Sequence, residues 1–415
     1  MILNDVTVRI GGEAGMGLES TGAGFGKALT RGGLYAFGLP DYYSRIRGGH
    51  NFFSVRAAAE PLYSHADPVT ILLALDLETV HRHVHDVVEG GAIVYDENET
   101  IPEELQRADV IFCPVALTAL AKELGGREIM RNTVAIGVAA GLLDFDPTYT
   151  ESLIRDNFSR KGQAVVDANL RVADAGVQAG RAFQADFPFR LQAQPQAPAR
   201  LYLNGNDAFA MGALAGGCRF VSAYPMTPGS PVMQWFAAHG GTYGAVVKHA
   251  EDEIAAVNMA IGAGFAGARA MVPTSGGGFS LMVEALGLAA MSETPVVIYE
   301  AQRPGPATGL PTRTEQGDLL FLLHASQGEF ARFLLAPGTV EEAFISGWQS
   351  FNLAERYQTP VLVLSDHYLA ASYRTIEVTG LDFDAVTIER GALLTDAELE
   401  TLEQPYLRYR VTESG

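Results

Sequence analysis

The sequence predicts an α/β protein: an N-terminal α/β unit followed by a Rossmann-like unit on a parallel sheet. Three observations predict it. In the second half, apolar runs at 218–223, 244–248, 268–272 and 295–300 each read as a buried parallel strand leading into a polar or Gly/Pro-rich cluster. In the first half, residues 6–10 alternate, enter a glycine-rich turn and continue into a helical pattern. Between the halves, residues 187–200 are rich in Pro, Gln and Ala and carry no periodicity, as a linker would.

Length and composition narrow the class. A chain of 415 residues predicts two or three domains, and 48% hydrophobic with 19% charged residues is ordinary globular composition. The net charge of -19 argues against nucleic acid and anionic membranes as partners. The only cysteines, Cys113 and Cys218, are far apart, so there is no disulfide framework and no iron–sulfur ligand set. With no signal peptide and no membrane-length apolar run, the expected location is cytoplasmic.

From the N-terminus, the strand at 6–10 leads into Gly11-Gly-Glu-Ala-Gly-Met-Gly17 and a helix at 18–30. Such a turn exposes backbone N–H groups at a helix start, which suits a phosphate. The glycine spacing departs from a dinucleotide fingerprint, so hydride transfer from a nicotinamide is disfavoured; the structural alternative is a tight turn with close helix–sheet packing. The loop 41–51 carries Arg45 and Arg47 between strands near Tyr35 and Phe52, placed for an anion or an interface. Strands follow at 69–75, 91–95 and 109–114, then helices over 131–183. His81, His83 and His85 invite a metal reading, but no carboxylate or thiolate completes the set, and a solvated helix face is expected.

The second unit begins at residue 201 with a helix at 207–215 and closes with the strand 359–364. Its clusters follow consecutive strand ends, so four loops are expected to meet in one crevice, where open α/β sheets bind ligands. Glu253 falls in the first turn of a helix over 251–267, on a face with Ala256, Ala260 and Gly264, where something flat can approach. Ile254, Val257, Ile261 and Phe265 read as the apolar stripe. Glu251, Asp252 and Glu253 also suit a helix dipole. Thr227 lies between two prolines, with Ser230 just before a helix at 232–238; an ordinary turn and cap is the alternative to a carboxylate site. Arg313, in a Pro/Gly-rich loop, is an anion clamp or a partner of Glu315. The tail 379–415 is expected to hold one weak strand and an acidic helix at 396–403.

Four segments carry a resemblance. Tyr224-Pro-Met-Thr-Pro228, Glu251-Asp-Glu-Ile-Ala-Ala256, Thr274-Ser-Gly-Gly-Gly-Phe-Ser280 and Gly305-Pro-Ala-Thr-Gly-Leu-Pro-Thr-Arg-Thr-Glu-Gln316 resemble the α subunit of 2-oxoacid:ferredoxin oxidoreductases. Gly11–Gly17 with Arg47-Gly-Gly-His50 is similar to the γ domain of the same enzymes, and the γ-then-α order resembles the 2-oxoglutarate form.

The resemblance implies a γ-type pyruvate/ketoisovalerate oxidoreductase domain over 1–186, a linker over 187–200, a thiamine diphosphate pyrimidine-binding domain over 201–378, and the start of a further C-terminal domain over 379–415. Glu253 matches the catalytic glutamate that hydrogen-bonds the aminopyrimidine. Tyr224, Pro225, Thr274, Ser275 and Gly276 fall in the cofactor-binding motifs. Thr227, Ser230 and Arg313 match the substrate-carboxylate positions, and Gly15, Gly17, Arg45 and Arg47 become candidates for coenzyme A.

No Gly-Asp-Gly motif for a Mg²⁺-bound diphosphate is present. The resemblance therefore assigns Mg²⁺ and the 4Fe–4S cluster to a separate β subunit, with no metal on this chain. Ferredoxin and a second copy of the αβ unit are the other implied partners. The implied reaction converts 2-oxoglutarate and coenzyme A to succinyl-CoA, CO2 and reduced ferredoxin. The same chemistry on branched-chain 2-oxoacids, pyruvate or indolepyruvate, and a non-catalytic coenzyme-A- or nucleotide-binding subunit, are the alternatives.

Overall fold

The computed structural model describes residues 1–43, 48–411 and 413. Arg45 and Arg47 lie outside the described residues. Two sheets organise the chain. The first is mixed and eight-stranded, in the order Ile111–Val115, Val87–Asp96, Val69–Ala74, Asp5–Glu13, His50–Ala58, Tyr35–Asp41, Tyr373–Glu377, Arg200–Asn204. The strand Asp5–Glu13 runs through Gly11 and Gly12, beyond the expected end at Ile10, and pairs antiparallel with His50–Ala58 from Asp5↔Ala58 to Glu13↔His50. These two glycines thus serve the sheet. A Cβ on Gly11 would lie 2.6 Å from Thr79 Cγ2, so only a glycine lets the Leu77–His83 helix approach. The turn proper is left to Ala14–Gly17, with Gly15 and Gly17 at positive φ.

Behind this sheet the helices Arg131–Leu142 and Gln163–Arg181 cross with their backbones in contact. A Cβ on Gly137 would meet Ala173 O at 2.3 Å, and one on Gly176 would meet Val134 O at 2.2 Å. The segment between the halves is packed rather than loose. Phe189–Arg190 pairs with Ile2–Leu3, and Phe187, Phe189 and Leu191 are buried in the N-terminal core. Their alternation (apolar at 187, 189 and 191) is a short strand signal that prolines obscure.

The second sheet is six-stranded and wholly parallel: Val246–His249, Phe220–Ala223, Ala270–Thr274, Val296–Gln302, Pro360–Asp366, Phe333–Leu335. Its strands alternate between two cores. Met271, Val297, Tyr299, Val361 and Val363 face the helices Gly205–Ala215 and Val340–Tyr357. Val272, Ile298 and Leu362 face the helices Glu253–Phe265 and Gly276–Met291. Covering both faces is what lets a parallel sheet read as unbroken apolar runs.

The Glu253–Phe265 helix is rotated from the expected stripe. Ala256, Val257, Ala260 and Ile261 are buried, while Ile254 and Phe265 are 53% and 58% exposed. Small residues allow the helix to sit close to the sheet, and close packing turns the small face inward together with Val257 and Ile261.

The two halves share a sheet. Arg200–Asn204 and Tyr373–Glu377 flank the second unit in sequence, pair antiparallel with each other, and add to the first sheet through Tyr373↔Gly38 and Arg374↔Phe37. Arg200 bonds Glu377 at 2.9 Å, and the Thr30 and Thr375 hydroxyls meet at 2.7 Å. No strand follows Glu377 among the described residues. The C-terminal helix is Asp396–Glu400, closed by a Thr395/Glu398 capping box, shorter than expected. The chain before it is anchored: Glu355, itself buried, binds both Arg269 and Arg390 at 2.7 Å.

Candidate active site

The site grows from four adjacent strand ends of the parallel sheet. The three consecutive acids at 251–253 divide their roles. Glu251 is exposed. Asp252 caps the helix, its carboxylate accepting from Ala255 N–H at 2.7 Å. Glu253 is the first helical residue and is 4% exposed. It is held against the first turn of the neighbouring Gly276–Met291 helix: a Cβ on Gly278 would lie 3.0 Å from both Cγ and Oε1 of Glu253, and 2.3 Å from Thr274 Oγ1. The glycine is therefore required for the carboxylate to occupy its place.

The loop carrying Thr227 packs on the same turn. Gly278 N–H points to Met226 Sδ at 3.1 Å, and Gly229 lies so close to Thr274 that a Cβ would meet its carbonyl at 2.3 Å. The helix after this loop starts at Ser230, two residues earlier than expected, and Ser230 is buried. A buried relay pins the loop from below: Tyr299 O–H donates to Asn206 Oδ1 at 2.9 Å, and Asn206 Nδ2 donates to Pro228 O at 2.9 Å. The Thr227–Pro228 and Gly305–Pro306 peptides are cis.

Arg303 joins the parts. It donates to Thr227 O at 2.8 Å and to Thr308 O at 3.1 Å, tying the Thr227 loop to the 303–309 loop. Burial lowers its pKa, and the charge of Glu253 opposes that shift. Beside it opens a cleft of about 550 Å³ lined by Met226, Gly276, Gly277, Ser280, Arg303 and the 304–308 loop, with Asp318 and Phe321 opposite. Backbone amides at a helix start, a guanidinium and a buried carboxylate nearby suit an aromatic or anionic ligand that exchanges a proton.

Of the expected site residues, Thr227, Thr274, Ser275 and Gly276 meet at or directly behind this cleft. Thr274 and Ser275 are fully buried, and Ser275 Oγ has no partner. Tyr224 and Pro225 are exposed and do not line it. Arg313 also lies apart from its lining. It pairs with Asp41 of the N-terminal half at 2.8 Å and stands 5.3 Å from the Tyr43 ring, so its partner is Asp41 rather than Glu315. Asn206, Tyr299, Arg303, Glu300 and Asp318 carried no sequence signal of their own. Of these, only Arg303 has a position, directly after the strand end at Gln302, from which the sequence could point to it.

In the N-terminal half, Gly15 and Gly17 line a second cavity of about 530 Å³ with Glu19, Asp41, Phe52 and Tyr373. The histidines do not gather. His81 and His85 are exposed. His83 is buried, bonding Asp86 at 2.8 Å through Nδ1 and His50 at 2.8 Å through Nε2. Burial and the neighbouring His83 push His50 down to about 4. Among the described residues no group of three potential ligands could hold a metal. Burial pushes the thiols of Cys113 and Cys218 up to about 12. No helix among the described residues is long and apolar enough to cross a membrane.

Strand-end loops around a buried glutamate, on a parallel sheet joined to a mixed N-terminal sheet, define an α/β protein of the class that binds its ligand at the carboxyl ends of the strands. Residues 211–410 match the thiamine diphosphate-binding family of pyruvate flavodoxin/ferredoxin oxidoreductases, and residues 7–179 match the pyruvate ferredoxin/flavodoxin oxidoreductase family. A 2-oxoacid:ferredoxin oxidoreductase α subunit from a Sulfolobus species is 34% identical over 98% of this chain and 70% of its own length.

The 2-oxoglutarate oxidoreductase subunit KorA of Mycobacterium tuberculosis is 30% identical over 89% of the chain and 61% of its own. The 2-oxoglutarate:ferredoxin oxidoreductase of Magnetococcus marinus, solved with 2-oxoglutarate, coenzyme A and succinyl-CoA bound, superposes with a TM-score of 0.87 at 34% identity. The match covers 99% of this chain and 70% of that one. The chain belongs to the 2-oxoacid:ferredoxin oxidoreductase α-subunit family, and as an α subunit it is one component of a multi-subunit enzyme.

Proposed function

We propose that the chain is the γ-fused α subunit of a 2-oxoglutarate:ferredoxin oxidoreductase, which converts 2-oxoglutarate and coenzyme A to succinyl-CoA and CO2 and passes two electrons to ferredoxin. The observation that carries the reading is the burial of Glu253 against Gly278 at the convergence of the strand-end loops. The choice of 2-oxoglutarate is supported by the KorA relatives and by the substrate named for the M. marinus enzyme.

The residues fit one end of thiamine diphosphate. A buried carboxylate beside helix-start glycines suits an aminopyrimidine, with Thr274, Ser275 and Gly276 forming the wall, and Tyr224 and Pro225, exposed outside the cleft, are assigned to the cofactor only through their motif. When bound, the cofactor supplies the electron sink for decarboxylation. The role of Glu253 is to hold and exchange a proton at its carboxylate. Thr227 is assigned to the substrate carboxylate beside the cleft, Ser230 and Arg313, which lie outside its lining, are assigned to the carboxylates by their motif, and Arg303 fixes the loop that carries Thr227. We assign Mg²⁺ with the diphosphate, together with the iron–sulfur cluster, to a β subunit, because the sequence has no Gly-Asp-Gly motif and only two widely separated cysteines. Gly15, Gly17, Arg45 and Arg47 are assigned to coenzyme A, whose phosphates would meet the backbone N–H groups of the helix start beside the N-terminal cavity.

The test is 2-oxoacid-dependent viologen reduction by the co-expressed α/β complex across 2-oxoglutarate, pyruvate, indolepyruvate and branched-chain 2-oxoacids. The highest kcat/KM is expected for 2-oxoglutarate, and a preference for another member would reassign the substrate. Glu253→Gln should lower turnover by about 10²–10⁴-fold. Undiminished turnover would leave the chain a non-catalytic binding subunit.

A further inference from the structure

Glu300 lies at the C-terminal end of the central strand Val296–Gln302 and is 0% exposed, yet no hydrogen-bond donor reaches either of its carboxyl oxygens. Asp318 faces it within hydrogen-bond reach, and its Oδ2 is likewise buried without any donor from the rest of the protein. Asp318 immediately precedes the helix Leu319–His324 but makes no cap with its side chain. Instead it leans on the first turn of the neighbouring helix, where a Cβ on Gly276 would lie 2.4 Å from Oδ2. The main chain of Asp318 is pinned, its N–H donating to Gln302 Oε1 at 3.0 Å.

The charges that reach the pair from surrounding elements are negative: Asp366 from the next strand acts on Glu300, and Glu315 from the loop acts on Asp318. Tyr299, the neighbour of Glu300 on its own strand, donates its hydroxyl elsewhere, to Asn206. A fully buried ionised carboxylate beside a half-buried one, with no countercharge, is strongly disfavoured. One proton between them turns acceptors without donors into a donor and an acceptor.

We propose that Glu300 and Asp318 share one proton and together act as a positioning pair for the first turn of the Gly276–Met291 helix, holding the cleft wall in the shape that Glu253 requires. The contact chain is continuous: Glu300 to Asp318, Asp318 to Gly276, and, within the same turn, Gly278 to Glu253. Glu300, the more buried, carries the proton and donates it toward Asp318, and burial raises the pKa of both groups, farthest for Glu300. Loss of the proton puts a second negative charge behind the helix start, drives Asp318 toward the cleft and loosens the turn. The functional half of the inference rests on the reading of Glu253 given above.

The sign of the pH effect follows. A carboxyl whose pKa is raised in the folded state contributes stability that is fully present below its ordinary value and is lost as pH rises through the raised value. Glu300→Gln keeps the shape and donates an amide N–H to Asp318 without titrating, so it should abolish that loss.

Three readouts on the full chain test this. Infrared difference spectroscopy of wild type against Glu300→Gln at neutral pH should show a protonated-carboxyl C=O band in the wild type and none in the variant. Hydrogen exchange of the segment 276–280, corrected for intrinsic rates, should accelerate on the alkaline side in the wild type and stay flat in the variant. The thermal midpoint of the wild type should fall on raising the pH relative to that of the variant. Absence of the band in the wild type overturns the proposal even if the variant does not fold, and so does an unchanged exchange profile in a folded Glu300→Gln. If these results hold but the assembled enzyme oxidises no 2-oxoacid, the functional reading falls and the proton-sharing pair stands.

Discussion

Gly278→Ala tests the candidate site without removing any functional group. The added methyl would lie 2.3 Å from Thr274 Oγ1 and 3.0 Å from Cγ and Oε1 of Glu253, all in a buried environment. Contacts this short force side chains or backbone to shift, at a cost of about 1–3 kcal/mol for overpacking. Alanine in place of glycine within a helix returns about 1 kcal/mol. The net loss is about 0–2 kcal/mol, which in a domain of this size lowers the Tm by up to about 8 °C at ~4 °C per kcal/mol. The catalytic effect should be much larger. Thr274 is hemmed in by the sheet, so the relief comes from Glu253, and displacing a reacting group by about 1 Å costs about 10²-fold.

The control is Gly262→Ala on the Glu253–Phe265 helix, where the added Cβ would meet nothing within 4 Å. It should leave turnover unchanged and raise stability by about 1 kcal/mol. The assay is viologen reduction by the assembled complex together with thermal melts. A folded Gly278→Ala with wild-type kcat/KM would refute the placement of Glu253 in the reaction.

The other predictions concern Arg313, the tail and the thiols. Arg313→Ala should raise KM by about 10–150-fold for 2-oxoglutarate and much less for pyruvate, because a charge-assisted pair is worth about 1.5–3 kcal/mol; equal effects would mean that its pairing with Asp41 is purely structural. Glu355→Ala leaves Arg269 buried without its partner and should cost about 3–5 kcal/mol. The same change frees Arg390 and the chain that follows, so limited proteolysis near 382–395 should speed up in the variant. Cys113 and Cys218, fully buried with thiols pushed up to about 12, should resist an aromatic disulfide reagent at neutral pH and react only after unfolding.

What was legible in the sequence is what short-range physics writes there. Apolar runs in the second half mark a parallel sheet covered on both faces, because such strands bury both sides. The acids at the start of the Glu253–Phe265 helix, the glycines at the helix starts and the prolines around Thr227 are local backbone signals, readable within a few residues, although which acid caps was not. Glu253 was singled out because it shares a helix face with small residues, and that face is the buried one.

Only the tertiary structure decided the rest. Of the apolar stripe expected on the Glu253–Phe265 helix, Val257 and Ile261 pack with the small residues while Ile254 and Phe265 stay exposed, since the distance to the sheet, not hydrophobicity alone, sets which side packs. Arg313 met Asp41, 272 residues away, instead of its neighbour Glu315. Tyr373–Glu377 left its own sheet to extend that of the N-terminal half. Glu300 sat unnoticed in an apolar run, and its relation to Asp318 exists only because the loop after the strand folds back over the helix start. Contacts between distant segments depend on chain closure and on mutual exclusion of volume, and neither leaves a period in the sequence.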